Sequence, residues 1–419
     1  MDKPIIRPVE AFPMEQQDQT LICLRDPSGL APEPMMLGMG AYFLVTLFDG
    51  TNSTLDLQAA FSRRFGEIIP SEKIRELIVA LDRAGFLDSP AFAERMRALR
   101  EEFGQSPARA PAFAGLCYET EASRLCAEIE SFFERPHAPG RDALAAAPPS
   151  STGQAASLAG LIAPHIDPRR GAAAYAWAYN ELRRSERPEL IVILGTSHYG
   201  AGPELFSATR KDYATPLGAV PTDRAFVERL AARYAGARGG DLFADEMLHR
   251  NEHSIEFQAL FLAWALGVQG YEVAPILVSS FHRMVGANER PAGAARVACF
   301  LDALREELAA ERRRVLILAG VDFAHVGRKF GDPFGLDDGV AERVRREDLA
   351  LIDTIKDGDP GAFFADIARD GDRRRICGLA PMYTQLELLS GRRARLLHYD
   401  IALEPQTDSL VSFASLAID

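Results

Sequence analysis

Three short segments carry residues able to do metal or acid–base chemistry. His165 in LIAPHID, His198 in IVILGTSHYG and the pair Asp322/His325 in VLILAGVDFAH each follow directly on an apolar, β-rich run. In an open α/β sheet, ligands bind in the crevice beyond the carboxyl ends of the parallel strands. Polar groups at three such ends can converge on one point. Imidazole suits zinc, copper and iron. One strand-end histidine can equally cap a neighbouring helix, but two of them with a third in VDFAH weigh towards a site. Cys377 in RRRICGLAP, at the start of an expected helix, is a natural fourth group. A helix N-terminus lowers a thiol pKa and favours the thiolate, the metal-ligating and nucleophilic form. Taken alone, Cys377 also fits a buried, inert cysteine.

The neighbouring residues extend this set. Asp322 and His325 are three apart, so they can act as ligand and orienter or as an acid–base pair. Asp322 can alternatively cap the turn after its strand. NEHSIEFQ puts His253 and Glu256 on one face of a helix, where they are expected to line the pocket or orient its ligands. Glu252 is expected to be a solvated acidic group at a helix N-terminus, and His249 a surface residue. Asp167 and Arg170 flank the first histidine in APHIDPRRG. Arg170 could hold an anionic substrate group bidentately, or pair with Asp167.

The elements that must position these residues form an alternating pattern from residue 158 onward. LAGLIAP, ELIVILG, YEVAPILVSS and RRVLILAG read as strands, separated by helices such as AAAYAWAYNELRR, AFVERLAARY and NEHSIEFQALFLAWAL. Near-continuous apolar strands are buried on both faces, which predicts a largely parallel, helix-covered sheet of the α/β class. His165 and His198 are 33 residues apart, one βα unit, so adjacent strands are expected. RARLLHYDIAL and SLVSFASLAI close the chain as strands. ATPLGAVPTD is expected as a loop, with Asp223 at a helix N-cap.

The chain divides into a small domain over 1–105 and an α/β domain over 106–419. In the first, TLICLRD reads as a strand, Thr51–Phe65 as a helix, and Ser71 as the N-cap of a second helix. There Ile74, Leu77, Ile78 and Leu81 recur at helical spacing, and AGFLDSP ends the pattern. This suggests a small α+β, winged-helix-like interaction domain. Residues 1–100 hold more Asp and Glu than Lys and Arg, and the whole chain of 419 residues has net charge −12. A DNA-binding role is therefore not expected. Residues 136–157 are rich in Ala, Pro, Ser and Gly and read as a loop.

No run approaches the roughly 20 apolar residues of a membrane span, and the polar, acidic start is unlike a secretory signal. The five cysteines are odd in number and contain no CxxC. Free thiols in a reducing compartment, the cytoplasm, are expected. No Walker loop, GxSxG, GxGxxG or CxxxCxxC is present.

Seven segments in order, AFAGLCYE, APHID, ILGTSHYG, ATPLG, NEHSIEFQ, VDFAHVG and CGLAP, resemble the Memo family, called AmmeMemoRadiSam system protein B in prokaryotes. Cys117 stands where the family usually has Trp. The LFDGT…AGFL run of the first domain resembles small peptide-binding winged-helix domains found with radical-enzyme maturation systems. The resemblance implies the fold of class III extradiol dioxygenases, which are non-haem iron enzymes. It places metal ligands at His165, His198 and Cys377, and the catalytic histidine at His325 beside Asp322. The dioxygenases use two histidines and a carboxylate, whereas Cys377 takes the third position here, so ring cleavage does not carry over. A metal ion is implied, iron first, with copper or zinc as alternatives. Partners implied are a radical SAM protein and an AMMECR1-like protein, acting on a modified peptide or RNA. Two further readings remain open: a non-enzymatic peptide- or phosphopeptide-binding module, and a Zn-dependent hydrolase with His325 or Glu256 as base.

Overall fold

The computed structural model describes residues 2–16, 19–26, 29–31, 33–145, 157–200, 202 and 204–419. The chain divides into two compact units, 1–105 and 106–419. Half of the stretch 136–157, expected as a loop, lies outside the described residues; Asp142–Ala145 is one helical turn.

The first unit begins with a three-stranded antiparallel sheet of Glu10–Gln16, Gln19–Arg25 and Met35–Leu37, in chain order. Helices Met39–Val45, Thr54–Phe65, Ser71–Ala84 and Pro90–Gln105 follow. Ser53 and Asp56 form a reciprocal capping box at the second helix, satisfying two otherwise orphan amide groups. Ser71 is not the cap of the third. Pro70 holds that position, and the Ser71 hydroxyl turns to Gln58. Leu57, Ile74, Ile78 and Leu81 are buried against Leu24, Phe48 and Phe86. The unit does not stop at AGFLDSP, because Pro90–Gln105 continues it as helix.

The second unit is a mixed α/β layer structure. Its sheet contains β1 (Gly160–Ala163), β2 (Leu190–Thr196), β3 (Phe206–Ala208), β4 (Glu272–Val278), β5 (Val315–Gly320), β6 (His325–Gly327), β7 (Ala394–Glu404) and β8 (Ser409–Ile418). The order is β6-β8-β1-β5-β2-β4-β3, with β7 also paired to β8. The four central strands, β1, β5, β2 and β4, are parallel. The outer pairings are all antiparallel. The expectation of a largely parallel sheet therefore holds for the centre only. β8 is buried at every residue yet runs antiparallel, since burial on two faces produces an apolar run whatever the strand direction. β1 and β2 are also not neighbours, because β5 is inserted between them.

Helices α1 (Ala172–Arg184) and α3 (His253–Leu266) pack on one face, against Leu161, Ile191, Ile193 and Leu318. Helices α2 (Arg224–Gly236), α4 (Ala295–Ala310), α5 (Asp338–Lys356) and α6 (Leu379–Leu388) pack on the other, against Val192, Leu194 and Ile276. Successive residues of β2 thus point to opposite cores, as strand geometry requires. Asp223 caps α2 by accepting from the Phe226 amide at 2.9 Å. The expected ATPLGAVPTD loop is instead a hairpin of Asp212–Thr215 and Gly218–Val220, joined in parallel by Ala108–Arg109. Its strands are too short for alternation to reveal them. No helix among the described residues is long and apolar enough to cross a membrane.

Candidate metal centre

Ala163, Gly320 and Gly195 sit level across β1, β5 and β2. His165, Asp322 and His198 each lie two residues beyond a strand end, so they enter the same crevice. His253 is the first residue of α3, and Cys377 precedes the Gly378 cap of α6. Two glycines let α3 approach. A Cβ at Gly195 would sit 2.5 Å from Ile255 Cγ1, and one at Gly320 would sit 2.5 Å from the Ser254 carbonyl. Ser254 Oγ fastens the contact by donating to the Thr196 carbonyl at 2.7 Å.

One ring nitrogen from each of His165, His198 and His253 lies within 4.8 Å of the others. Ring centroids are 4.7–5.1 Å apart across the three pairs. Cys377 Sγ is 3.2 Å from His165 Nε2. His165 Nδ1 lies 2.9 Å from the Gly320 carbonyl, which only accepts. His198 Nδ1 lies 2.9 Å from Glu252 Oε1. These partners assign the proton to Nδ1 in both rings and leave Nε2 unprotonated, that of His165 facing the Cys377 thiol, the arrangement typical of metal-ligating histidines.

Glu252 is the residue that sequence reasoning misread. It is buried rather than solvated. Its carboxylate accepts from the amides of His198, His253 and Ser254 at 2.8, 2.9 and 3.2 Å, and holds His198 Nδ1. Its position as N-cap between two histidines was the available signal. Burial pushes its carboxyl up, but the charge and hydrogen bonds of His198 win and hold it well below the usual range. Burial likewise opposes a charged His198, and Glu252 outweighs it, so the imidazole is raised. His165 and His253 are lowered well below 6.5, first by burial and then by neighbouring histidines.

Asp322 ties two segments together. Its Oδ1 accepts the His165 amide at 3.0 Å, and its carbonyl accepts the Gly378 amide at 3.1 Å. Burial raises its carboxyl to about 6. His325 starts β6 and stands outside the three-histidine group; its Nδ1 is 3.1 Å from the Phe323 carbonyl. Burial lowers it, with Asp322 opposing. Cys377 does not gain the expected helix-end activation. Burial pushes its thiol well above the ordinary value, and Asp322 adds to the rise.

Three other expected site residues are engaged elsewhere. Glu256 accepts from Arg109, from the Tyr118 hydroxyl and from the amides of Ala112 and Phe113, so it clamps the start of the second unit. Arg170 pairs with Glu404. Asp167 accepts the Arg169 amide at 2.9 Å in the turn before α1. His249, expected at the surface, is fully buried between the Tyr213 hydroxyl and the Ser207 carbonyl.

The family model for Memo-like proteins matches residues 109–417. The chain belongs to the Memo family. A MEMO1 family protein of Aquifex aeolicus is 30% identical over 396 residues, 94% of each chain. A MEMO1 family protein of Thermus thermophilus is 27% identical, covering 87% of this chain and 98% of its own. The Aquifex match is longer than the Memo-like segment alone, so it reaches into the first unit. In this Memo-family chain, the crevice histidines and the CGLAP cysteine are brought together by matched segments.

Proposed function

We propose that this Memo-family protein is a redox-active metal protein whose ion is held by His165, His198 and Cys377, with His253 beside them. The observation that carries the reading is the convergence of three imidazoles, two with Nδ1 pinned and Nε2 unprotonated, next to a half-buried thiol. That donor set fits a borderline or soft transition metal: iron first, then copper or zinc. A bound iron or copper would supply one-electron chemistry that no side chain here provides.

The chain's own residues do the rest. Glu252 fixes the His198 ring and the start of α3, and Asp322 fixes the His165 loop against the Cys377 loop. Cys377 gives up its proton on ligating, because only the thiolate binds metal. His325, its Nδ1 against a carbonyl, keeps Nε2 to accept or return a proton. The dioxygenase-like fold and a winged-helix first unit belong to this proposal, as do a radical SAM partner, an AMMECR1-like partner and a peptide substrate. Cytoplasmic residence is supported by five free cysteines.

A second reading rests on His253. Three histidines around one open position also suit a catalytic zinc, with His325 as base for hydrolysis. Metal quantification and electron paramagnetic resonance on protein purified without oxygen separate the two. A paramagnetic or air-sensitive signal supports the redox reading. Full occupancy by zinc, silent in air, supports hydrolysis and overturns redox chemistry.

A further inference from the structure

The backbone between β5 and β6, residues 321–324, belongs to no strand or helix, so its amides need partners from elsewhere. Two of those partners belong to one residue of β8. The Ser412 carbonyl accepts the Phe323 amide at 2.8 Å, and the Ser412 hydroxyl accepts the Ala324 amide at 2.8 Å. The next amide, that of His325, donates to the Arg374 carbonyl at 2.7 Å. Ser412 and Arg374 then meet on one carboxylate. Asp348 of α5 accepts from Arg374 Nη1 at 2.7 Å and from Ser412 Oγ at 2.5 Å. Its third bond comes from the Tyr399 hydroxyl at 2.9 Å. Asp348 and Ser412 are fully buried, and Arg374 nearly so.

Stability alone does not account for this arrangement. Desolvation offsets the attraction in a buried ion pair, which is seldom better for stability than apolar side chains of like volume. Burial pushes the Asp348 carboxyl up even against Arg374, Ser412 and Tyr399 together. What the carboxylate supplies is geometry. It fixes the two residues that hold the consecutive amides of Ala324 and His325. The His325 ring closes the same turn, with Nδ1 3.1 Å from the Phe323 carbonyl. That carbonyl only accepts, which assigns the ring proton to Nδ1.

We propose that Asp348 is a positioning residue for His325. Through Arg374 and Ser412 it fixes the backbone from which the ring projects, so that Nδ1 stays on the Phe323 carbonyl and Nε2 remains the proton acceptor. Asp348 itself touches no reacting atom. The inference deepens the proposed function, and rests on it only for the part His325 plays in proton transfer.

The test is nitrogen-15 NMR of the full chain with labelled histidine, freed of metal by chelation, at alkaline pH. Wild type should show His325 as a single Nδ1–H tautomer. Ser412→Ala cuts the link to the Ala324 amide and leaves the ion pair, whereas Asp348→Asn removes the charge that holds both links. Each variant should turn the His325 signal into a mixture of tautomers. Each should also speed hydrogen exchange of the Ala324 and His325 amides about tenfold, the order of one lost hydrogen bond. Tyr399→Phe removes the bond to Asp348 that does not lead to His325, and should leave both readouts unchanged. His165 and His249, set by the Gly320 and Ser207 carbonyls, should keep their tautomers in every variant, which a general loosening of the fold would not allow. A single Nδ1–H tautomer for His325 in folded Ser412→Ala or Asp348→Asn overturns the proposal, as does a mixture in wild type. So do changes at His165 and His249 that accompany those at His325. If Asp348→Asn does not fold, Ser412→Ala decides alone. Because the protein carries no ion during the measurement, failure of the metal reading and failure of this one are separate results.

Discussion

His253 and Glu256 sit three residues apart at the start of α3, yet belong to opposite kinds of region. Around Glu256 every strong donor has found an acceptor: Arg109, Tyr118 and two amides converge on one carboxylate, and Arg109 also donates to the carbonyls of His249 and Glu252. Buried His249 is likewise occupied at both nitrogens. Around His253 the groups are held from behind and open in front, with pinned Nδ1 atoms in His165 and His198 and a thiol at 3.2 Å. A saturated polar cluster is a structural anchor. A half-saturated one is where a ligand completes the set. Residue type does not separate the two, whereas the hydrogen-bond count does.

The largest contrast is expected from Glu256→Ala. It leaves Arg109 buried without its carboxylate, costing roughly 3–5 kcal/mol in denaturant unfolding. Metal per folded chain should stay unchanged. Loss of metal from the folded fraction would move Glu256 into the open region.

The second contrast is with pH. His249 titrates at about 3 in the fold, against 6.5 unperturbed, because burial dominates. Its folded pKa is depressed, so its contribution is fully present above pH 6.5 and is lost as pH falls towards 3. The integrated effect is at most roughly 5 kcal/mol. His249→Gln should be less stable at pH 7 and show a shallower loss between pH 6.5 and 4. Parallel wild-type and variant curves would contradict burial of a neutral ring.

Glu252→Gln should act the other way round from Glu256→Ala. It keeps the helix cap but weakens the hold on His198, so metal affinity should fall about 10–100-fold with less change in stability than Glu256→Ala gives. A competition titration with a chelator reads this directly. The smallest effect is assigned to Arg170→Ala, whose partly exposed pairing with Glu404 is worth under about 1 kcal/mol. Any marked change in metal affinity would restore Arg170 to the site.

Much of this was legible in the sequence. The strand-end positions of His165, His198 and Asp322, and the helix starts at His253 and Cys377, follow from apolar runs and their punctuation. Strand order was not: β5 enters between β1 and β2 from more than a hundred residues away. The direction of β8 was also hidden, because two-sided burial looks the same in parallel and antiparallel strands. Glu252 resembled any acidic residue at a helix N-terminus until the fold buried it. Glu256 resembled a pocket residue because the groups that saturate it lie 138–147 residues earlier. Local pattern places side chains along the chain, and only long-range packing decides which of them are already satisfied.

The most direct test is metal content per folded chain after anaerobic purification, comparing wild type with His165→Ala, Cys377→Ala and His249→Gln. Wild type and His249→Gln should hold about one ion, and the two open-region variants less than about 0.2, because ligation needs those deprotonated donors. Wild type below about 0.2, or Cys377→Ala and His165→Ala holding as much metal as wild type, would contradict the account.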